Sequence, residues 1–349
     1  MRSISAIHRW AGGLIGLLLA TLGLSGMILV WEGSWIRVAG ASDTLVERPA
    51  VIAQIVDKAA AGGMSRITFA NDEIGLHQVI NADGSGAYVR QDGTLVERWA
   101  SQRERPELWL FDLHHRLFSG ETGETVAGVA GIGGLLFVIT GFILWWRGRA
   151  SFRPTLLPKR LAPGPITKHH RDLGMLAAPL LLVSMSTGVL MVFEPLRAAL
   201  VGEERRSQSA VTGTPVASPG EAVLRAKALF PDAALRRIVL PAKSGGDTSV
   251  RLRQPFEWTP QGRTQVRFTP NGKMAIDDPA GQNRAAAVTE KLYPIHSAKA
   301  GGVAMKLLMS LSGLSLAMLG SFAVYAFWVR KAERLRRRGQ PAPSFYRRA

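Results

Sequence analysis

Four apolar runs, residues 10–31, 126–146, 173–193 and 303–328, constrain this chain more than any other feature. Each reaches about 20 residues, the length a helix needs to cross the hydrocarbon of a bilayer. A helix in a soluble core is rarely apolar on every face for so long. The expected fold is an integral membrane α-helical bundle of four transmembrane helices. It divides the chain into a first span ending at 31, an outward segment 32–125, a second span, a loop 147–172, a third span, an outward segment 194–302, a fourth span and a tail 329–349. The first run has a basic start, but it is longer than a signal-peptide core and ends at Trp31 and Glu32 without a small-residue cleavage pattern, so it reads as a retained anchor.

The net charge of +17 would suit a nucleic-acid binder, but its distribution points elsewhere. Residues 1–9, 147–172 and 329–349 together hold 17 Lys and Arg against two acids, Asp172 and Glu333. Residues 32–125 hold 9 basic and 14 acidic side chains, and residues 194–302 hold 16 and 10. The excess therefore lies on one side of the four spans. That positive-inside pattern places both termini in the cytoplasm and the two long segments outside, in the periplasm of a cell with two membranes. The tail arginines read as a stop-transfer and lipid-headgroup clamp, with no nucleic-acid partner. Cysteine is absent, which excludes disulfides, iron–sulfur clusters and thiolate catalysis within the chain.

The chain also reads as an internal duplication. His8 stands 18 residues before Gly26 and 24 before Glu32, and His170 stands 18 before Gly188 and 24 before Glu194. Residues 25–32 (SGMILVWE) mirror 187–194 (TGVLMVFE), and residues 110–114 (LFDLH) align with 292–296 (LYPIH). Each half is helix, outward segment, helix. In the first outward segment a helix is expected over 50–61 and strands over 65–70, 75–81, 86–90 and 94–99. In the second, Ser218, Pro219 and Glu221 signal a helix start, with strands over 235–240, 248–254, 264–269 and 273–277. Each segment is expected to be a helix against a small sheet, a unit small enough to need support from the other or from the membrane bundle.

Six of the seven histidines, His8, His114, His115, His169, His170 and His296, sit at the ends of the spans. Imidazole is the commonest side-chain metal ligand, and haem iron in a helical bundle takes ligands from facing helices. Duplication supplies one ligand from each half: His8 with His170 for an inner haem b, and His114 with His296 for an outer one. A helix from His8 to Glu32 covers about 36 Å, too far for one haem to use histidines from both faces. No Cys-x-x-Cys-His occurs, so both haems would be held noncovalently. His115 and His169 stay open as replacements for their neighbours, as hydrogen-bond donors behind them, or as contacts to a substrate. Arg9, Arg116 and Arg171 follow histidines and suit haem propionates, although Arg9 and Arg171 also suit snorkelling anchors. His77 reads as an ordinary surface or sheet histidine. Pro179 is expected to kink the third span.

The segments HRWAG (8–12), LHHRLFSGETGE (113–124) with WWR (145–147), and HHRDLG (169–174) resemble the PepSY-associated transmembrane proteins over nearly the whole chain. The resemblance implies four spans carrying two α+β PepSY-like periplasmic domains. It also implies similarity to inner-membrane ferric-siderophore reductases with two b haems, whose histidine positions fit His8, His114, His170 and His296. The expected function is then transmembrane electron transfer by an oxidoreductase of the bacterial inner membrane. Electrons would come from a cytoplasmic reductase or a quinol and go to a periplasmic acceptor, foremost ferric iron in a siderophore. Segment 194–302 could draw anionic chelates through Arg236, Arg237, Arg251, Arg253, Arg263 and Arg267. The alternatives are a non-redox PepSY binding or regulatory protein, and an electron donor to a periplasmic partner reductase.

Overall fold

A computed structural model describes residues 2–339 except 153, 155, 156, 159, 206, 243 and 244. The last ten residues of the basic tail lie outside the described residues, as do those four positions of the loop 147–172. The chain divides into two compact units.

The first unit comprises residues 1–28, 114–189 and 307–349. It is built on four helices long and apolar enough to cross a membrane: α1 (Arg2–Leu29), α5 (Gly120–Trp146), α6 (Pro163–Val192) and α10 (Gly302–Gly339). Each is longer than its apolar run. His8 and His170 therefore lie two turns inside α1 and α6, not ahead of them. α6 continues through Pro179 without a break in its assignment. α1 and α10 run antiparallel at close range through glycines. A methyl group on Gly16 would meet the Gly320 carbonyl oxygen at 2.8 Å, and one on Gly23 would meet that of Gly313 at 2.6 Å. Small residues at such a seam let backbones approach and gain dispersion and Cα–H···O contacts that lipid cannot replace.

The second unit, residues 29–113 and 190–306, holds the remaining elements. These are α2 (Glu32–Trp35), α3 (Pro49–Ala61), β1 (Met64–Thr68), β2 (His77–Asn81), β3 (Gly86–Val89) and β4 (Leu95–Trp99) from the first outward segment. α4 (Pro106–Arg116) follows and carries His114 in its last turn. The second segment gives α7 (Glu194–Val201), β5 (Ser207–Thr212), α8 (Pro219–Leu229), β6 (Ala234–Val239), β7 (Thr248–Arg253), β8 (Thr264–Phe268), β9 (Lys273–Asp278) and α9 (Arg284–His296).

The two segments do not form separate sheets. They share one sheet of nine strands, ordered β4-β3-β2-β1-β6-β7-β8-β9-β5. The junction is antiparallel, with Ile67 opposite Ile238 and Thr68 opposite Arg237. Of the two supports expected for these small units, mutual pairing is the one seen here. One face of the sheet carries Ile67, Ile238, Val250, Leu252 and Val266, all fully buried or nearly so, and packs against Val56 of α3 and Ala222, Val223 and Ala226 of α8. Burying each large aliphatic side chain there contributes about 1.5–3 kcal/mol. Polar ties cross the same junction. Asp57 of α3 accepts hydrogen bonds from the Gly220 N–H (2.7 Å) and the Ser218 hydroxyl (3.1 Å) at the start of α8. Ser218 itself caps the Glu221 N–H at 3.2 Å, as its sequence context requires.

Before each of α5 and α10 the chain breaks helix in the left-handed region. Leu117 and Phe118 have φ 47° and 59° ahead of Gly120, and Ala298 has φ 56° ahead of Gly301 and Gly302. These breaks separate the short helices that end near His114 and His296 from the long ones that follow. α5 opens at Gly120 and α10 at Gly302, each a few residues after His114 and His296.

Candidate functional site

The four long helices enclose a cavity of about 430 Å³, within the range of sites that hold a cofactor-sized ligand. Its walls are apolar, with Phe137 of α5, Leu181 of α6 and Leu319 of α10, and both His8 and His170 line it. The rings of His8 and His170 stand 6.1 Å apart between centres. Two imidazoles bound on opposite sides of one metal, with bonds of about 2 Å and about 1 Å from ring nitrogen to ring centre, stand about 6 Å apart.

The His8 Nδ1 lies 2.8 Å from the Thr140 hydroxyl oxygen, and that hydroxyl is also 2.7 Å from the Leu136 carbonyl. When the hydroxyl hydrogen goes to the carbonyl, Thr140 accepts from His8 Nδ1–H and the lone pair of the ring is on Nε2. A ligating histidine ordinarily donates its other N–H in this way, which fixes the ring and raises its basicity. The same device recurs at His114. Its Nδ1 lies 2.9 Å from the Ser25 hydroxyl, which donates to the Thr21 carbonyl at 2.7 Å. When Ser25 donates to that carbonyl, it accepts from His114 Nδ1–H in the same way. Gly26 gives the ring its place, because a methyl group there would meet His114 Cε1 at 2.8 Å.

The doublets separate by environment. His170 lines the cavity, whereas His169 is fully buried with its ring edge against Phe322, 5.3 Å between centres. His115 is half-buried, with its ring 5.7 Å from that of His114. His296 ends α9 in the second unit, while His114 belongs to the first. Arg9 and Arg171 line the cavity, and Arg116 is exposed at the end of α4. Arg171 also contacts Asp172 at 3.0 Å, and Lys168 reaches the same carboxylate at 2.6 Å, so fully buried Asp172 is balanced by two cations. Three further cations of α10, Arg330, Lys331 and Arg334, line the cavity together with Arg9 and Arg171. Sequence reasoning assigned those three to a headgroup clamp. It had no view of Thr140 and Ser25, whose roles depend on which histidine faces them across the bundle. His77, read as surface or sheet, is a buried sheet residue at 2% exposure whose Nδ1 accepts the Ala70 N–H at 3.0 Å.

Among the described residues no group of three or more His, Asp or Glu gathers to hold a bare ion. The cavity supplies two imidazoles, apolar walls and a cationic set. Such a donor set fits a flat, largely apolar group that brings its own equatorial ligands and carries acidic substituents. A comparison with curated proteins found no match. The PepSY-associated TM region matches residues 5–331, which include all four long helices up to Lys331 and the whole nine-stranded sheet. The chain belongs to the family of the PepSY-associated TM region.

Proposed function

We propose that this protein is a di-haem b electron carrier of the bacterial inner membrane that reduces a periplasmic acceptor, foremost ferric iron in a siderophore. The observation that carries the reading is the 6.1 Å separation of the His8 and His170 rings across an apolar cavity, with His8 Nδ1 held 2.8 Å from the Thr140 hydroxyl. In this reading His8 and His170 would hold an inner haem, and Arg9 and Arg171, with Arg330, Lys331 and Arg334, would face its acidic substituents. His114, held by Ser25, and His296 are the ligands of an outer haem, with His115 and Arg116 beside it. His169, packed on Phe322, supports the helix that carries His170. When bound, the two b haems would supply reversible one-electron carriage, which suits electron transfer.

The chain's own residues do the remaining work. Phe137, Leu181 and Leu319 exclude water from the inner cavity. Thr140 and Ser25 orient imidazoles, and the cations offset acidic substituents. The matching element order of the two halves and the paired helix breaks before α5 and α10 support the reading as a duplication with two PepSY-like periplasmic halves, and the charge distribution supports cytoplasmic termini. Reduction of the acceptor would release iron because hard oxygen donors hold Fe³⁺ better than Fe²⁺.

The test is a visible spectrum with haem quantitation on protein purified from haem-replete cells. The expected result is two b haems per chain with dithionite-sensitive α bands. His8→Ala or His170→Ala removes one haem, and His114→Ala or His296→Ala removes the other. Haem-free protein with no Soret band would sink the redox reading in favour of a binding or regulatory role. Fe²⁺ trapping from several ferric chelates by the reduced protein then separates chelate reduction from delivery to a partner protein.

A further inference from the structure

Five cations line the cavity of the four long helices: Arg9, Arg171, Arg330, Lys331 and Arg334. Arg9 Nε donates to the Ser5 carbonyl at 3.1 Å, one turn back along α1. Arg330 Nη2 donates to the Pro163 carbonyl at 3.0 Å and to the Thr167 hydroxyl at 2.6 Å. Lys331 Nζ lies over the indole rings of Trp10 and Trp328, 5.5 and 4.7 Å from their centres. Of the five, Arg171 alone makes an ion pair among the described residues, with its Nε 3.0 Å from Asp172 Oδ1.

Asp172 has no exposed surface, and its second oxygen accepts from Lys168 Nζ at 2.6 Å, one turn earlier on α6. An ionised carboxylate in such a place is costly unless its neighbours answer it. Two ordinary reasons for its presence do not apply. It stands nine residues beyond the start of α6 at Pro163, too far for the helix dipole to favour a negative charge. Nor does it neutralise its surroundings. Segments 1–9, 147–172 and 329–349 hold 17 Lys and Arg against two acids, so one carboxylate leaves the local field strongly positive. What it fixes is direction. Arg171 follows His170 in the chain, and both line the cavity. A carboxylate on Nε holds the guanidinium plane and leaves the two Nη nitrogens as a fork for a second carboxylate.

We infer that Asp172 is a positioning residue that, through Arg171, makes the inner cavity select a planar macrocycle bearing a free carboxylate over one without it. Lys168 completes the device, because its bond to the other oxygen keeps the Asp172 carboxylate from turning away from Arg171. The inference rests on the haem reading of this cavity and adds to it a source of selectivity.

The experiment is absorbance titration of the haem-free full chain in detergent with ferric protohaem and with its dimethyl ester, whose carboxylates are blocked. Binding to the inner cavity is the part that His8→Ala abolishes. There the wild type should prefer protohaem to the ester at least tenfold. Asp172→Asn should lose that preference, binding protohaem at least tenfold more weakly and the ester within twofold of the wild type. The Soret and α bands of the bound haem should keep their positions, because neither imidazole is touched. Should Asp172→Asn fold poorly, Arg171→Lys, which keeps the charge and loses the Nε contact, should show the same tenfold loss for protohaem alone. Unchanged protohaem affinity in these variants, equal weakening of both porphyrins, or displaced bands overturns the inference and leaves the haem reading standing. Failure of the wild type to bind either porphyrin overturns both.

Discussion

Thr140 and Ser25 are on different helices, yet each hydroxyl lies within hydrogen-bond distance of a histidine Nδ1 and of a backbone carbonyl one turn back. If that bond sets the ligating tautomer, Thr140→Val, which keeps the shape and removes the acceptor, should weaken inner haem binding by about tenfold or more. Absorbance titration of haem-free protein checks this, and unchanged affinity would show that the tautomer is not controlled there. Ser25→Ala should act on the outer haem alone. His77 gives a second prediction, on stability rather than cofactor. Burial pushes its pKa down to about 4, so it stays neutral in the folded sheet. The unfolded chain takes up a proton there near the ordinary value of about 6.5, and the folded chain takes it up only near 4. Between those values the unfolded state binds more protons, so stability falls as the pH drops through that window, by up to about 3 kcal/mol at its lower end. Urea unfolding of the wild type and His77→Asn at pH 7 and pH 4.5 should show a smaller acid loss in the variant.

At the scale of elements, the glycine seam between α1 and α10 is the most sensitive contact. Gly23→Leu would drive a branched side chain into the Gly313 backbone and should cost about 1–3 kcal/mol or more, read as a lower unfolding temperature with weaker haem retention. An unchanged unfolding temperature would mean that the seam tolerates separation. The periodic elements were legible in the sequence. All eight expected strands lie within two residues of those observed, and the helix at 49–61 starts one residue early, because alternation, turn glycines and an N-capping serine are local signals. The strand expected at 75–81 begins later, at His77. β5 was missed, since SQSAVT is polar and poor in β-formers, and it exists because the β9 edge offers it a ladder. The short helices α4 and α9 were not anticipated within the outward segments 32–125 and 194–302. Of the site, the histidines were legible through the repeat. Thr140 and the cations of α10 were not, since helix-to-helix facing is a tertiary fact with no sequence period of its own.

For the whole molecule, the charge distribution and the spans make a topological prediction. The chain has no cysteine, so introduced thiols are unambiguous reporters. Asp83→Cys and Lys273→Cys should react with an impermeant maleimide added to the outer side of the membrane, while Arg149→Cys should react only after the membrane is opened. Labelling of Arg149→Cys from outside would reverse the assignment of sides. The sheet joins the two segments, so removing a tie between them should be felt by both. Asp57→Ala strips two bonds from the start of α8 and should cost about 1–2 kcal/mol by denaturant titration. The β1–β6 junction also sets a problem of timing. During synthesis Ile67 must wait for Ile238, with two spans still to be threaded, and all that while the bare margin of β1 could pair with any passing strand. A ribosome-tethered chain halted before β6 should therefore need a chaperone on the far side of the bilayer, and should clump without one.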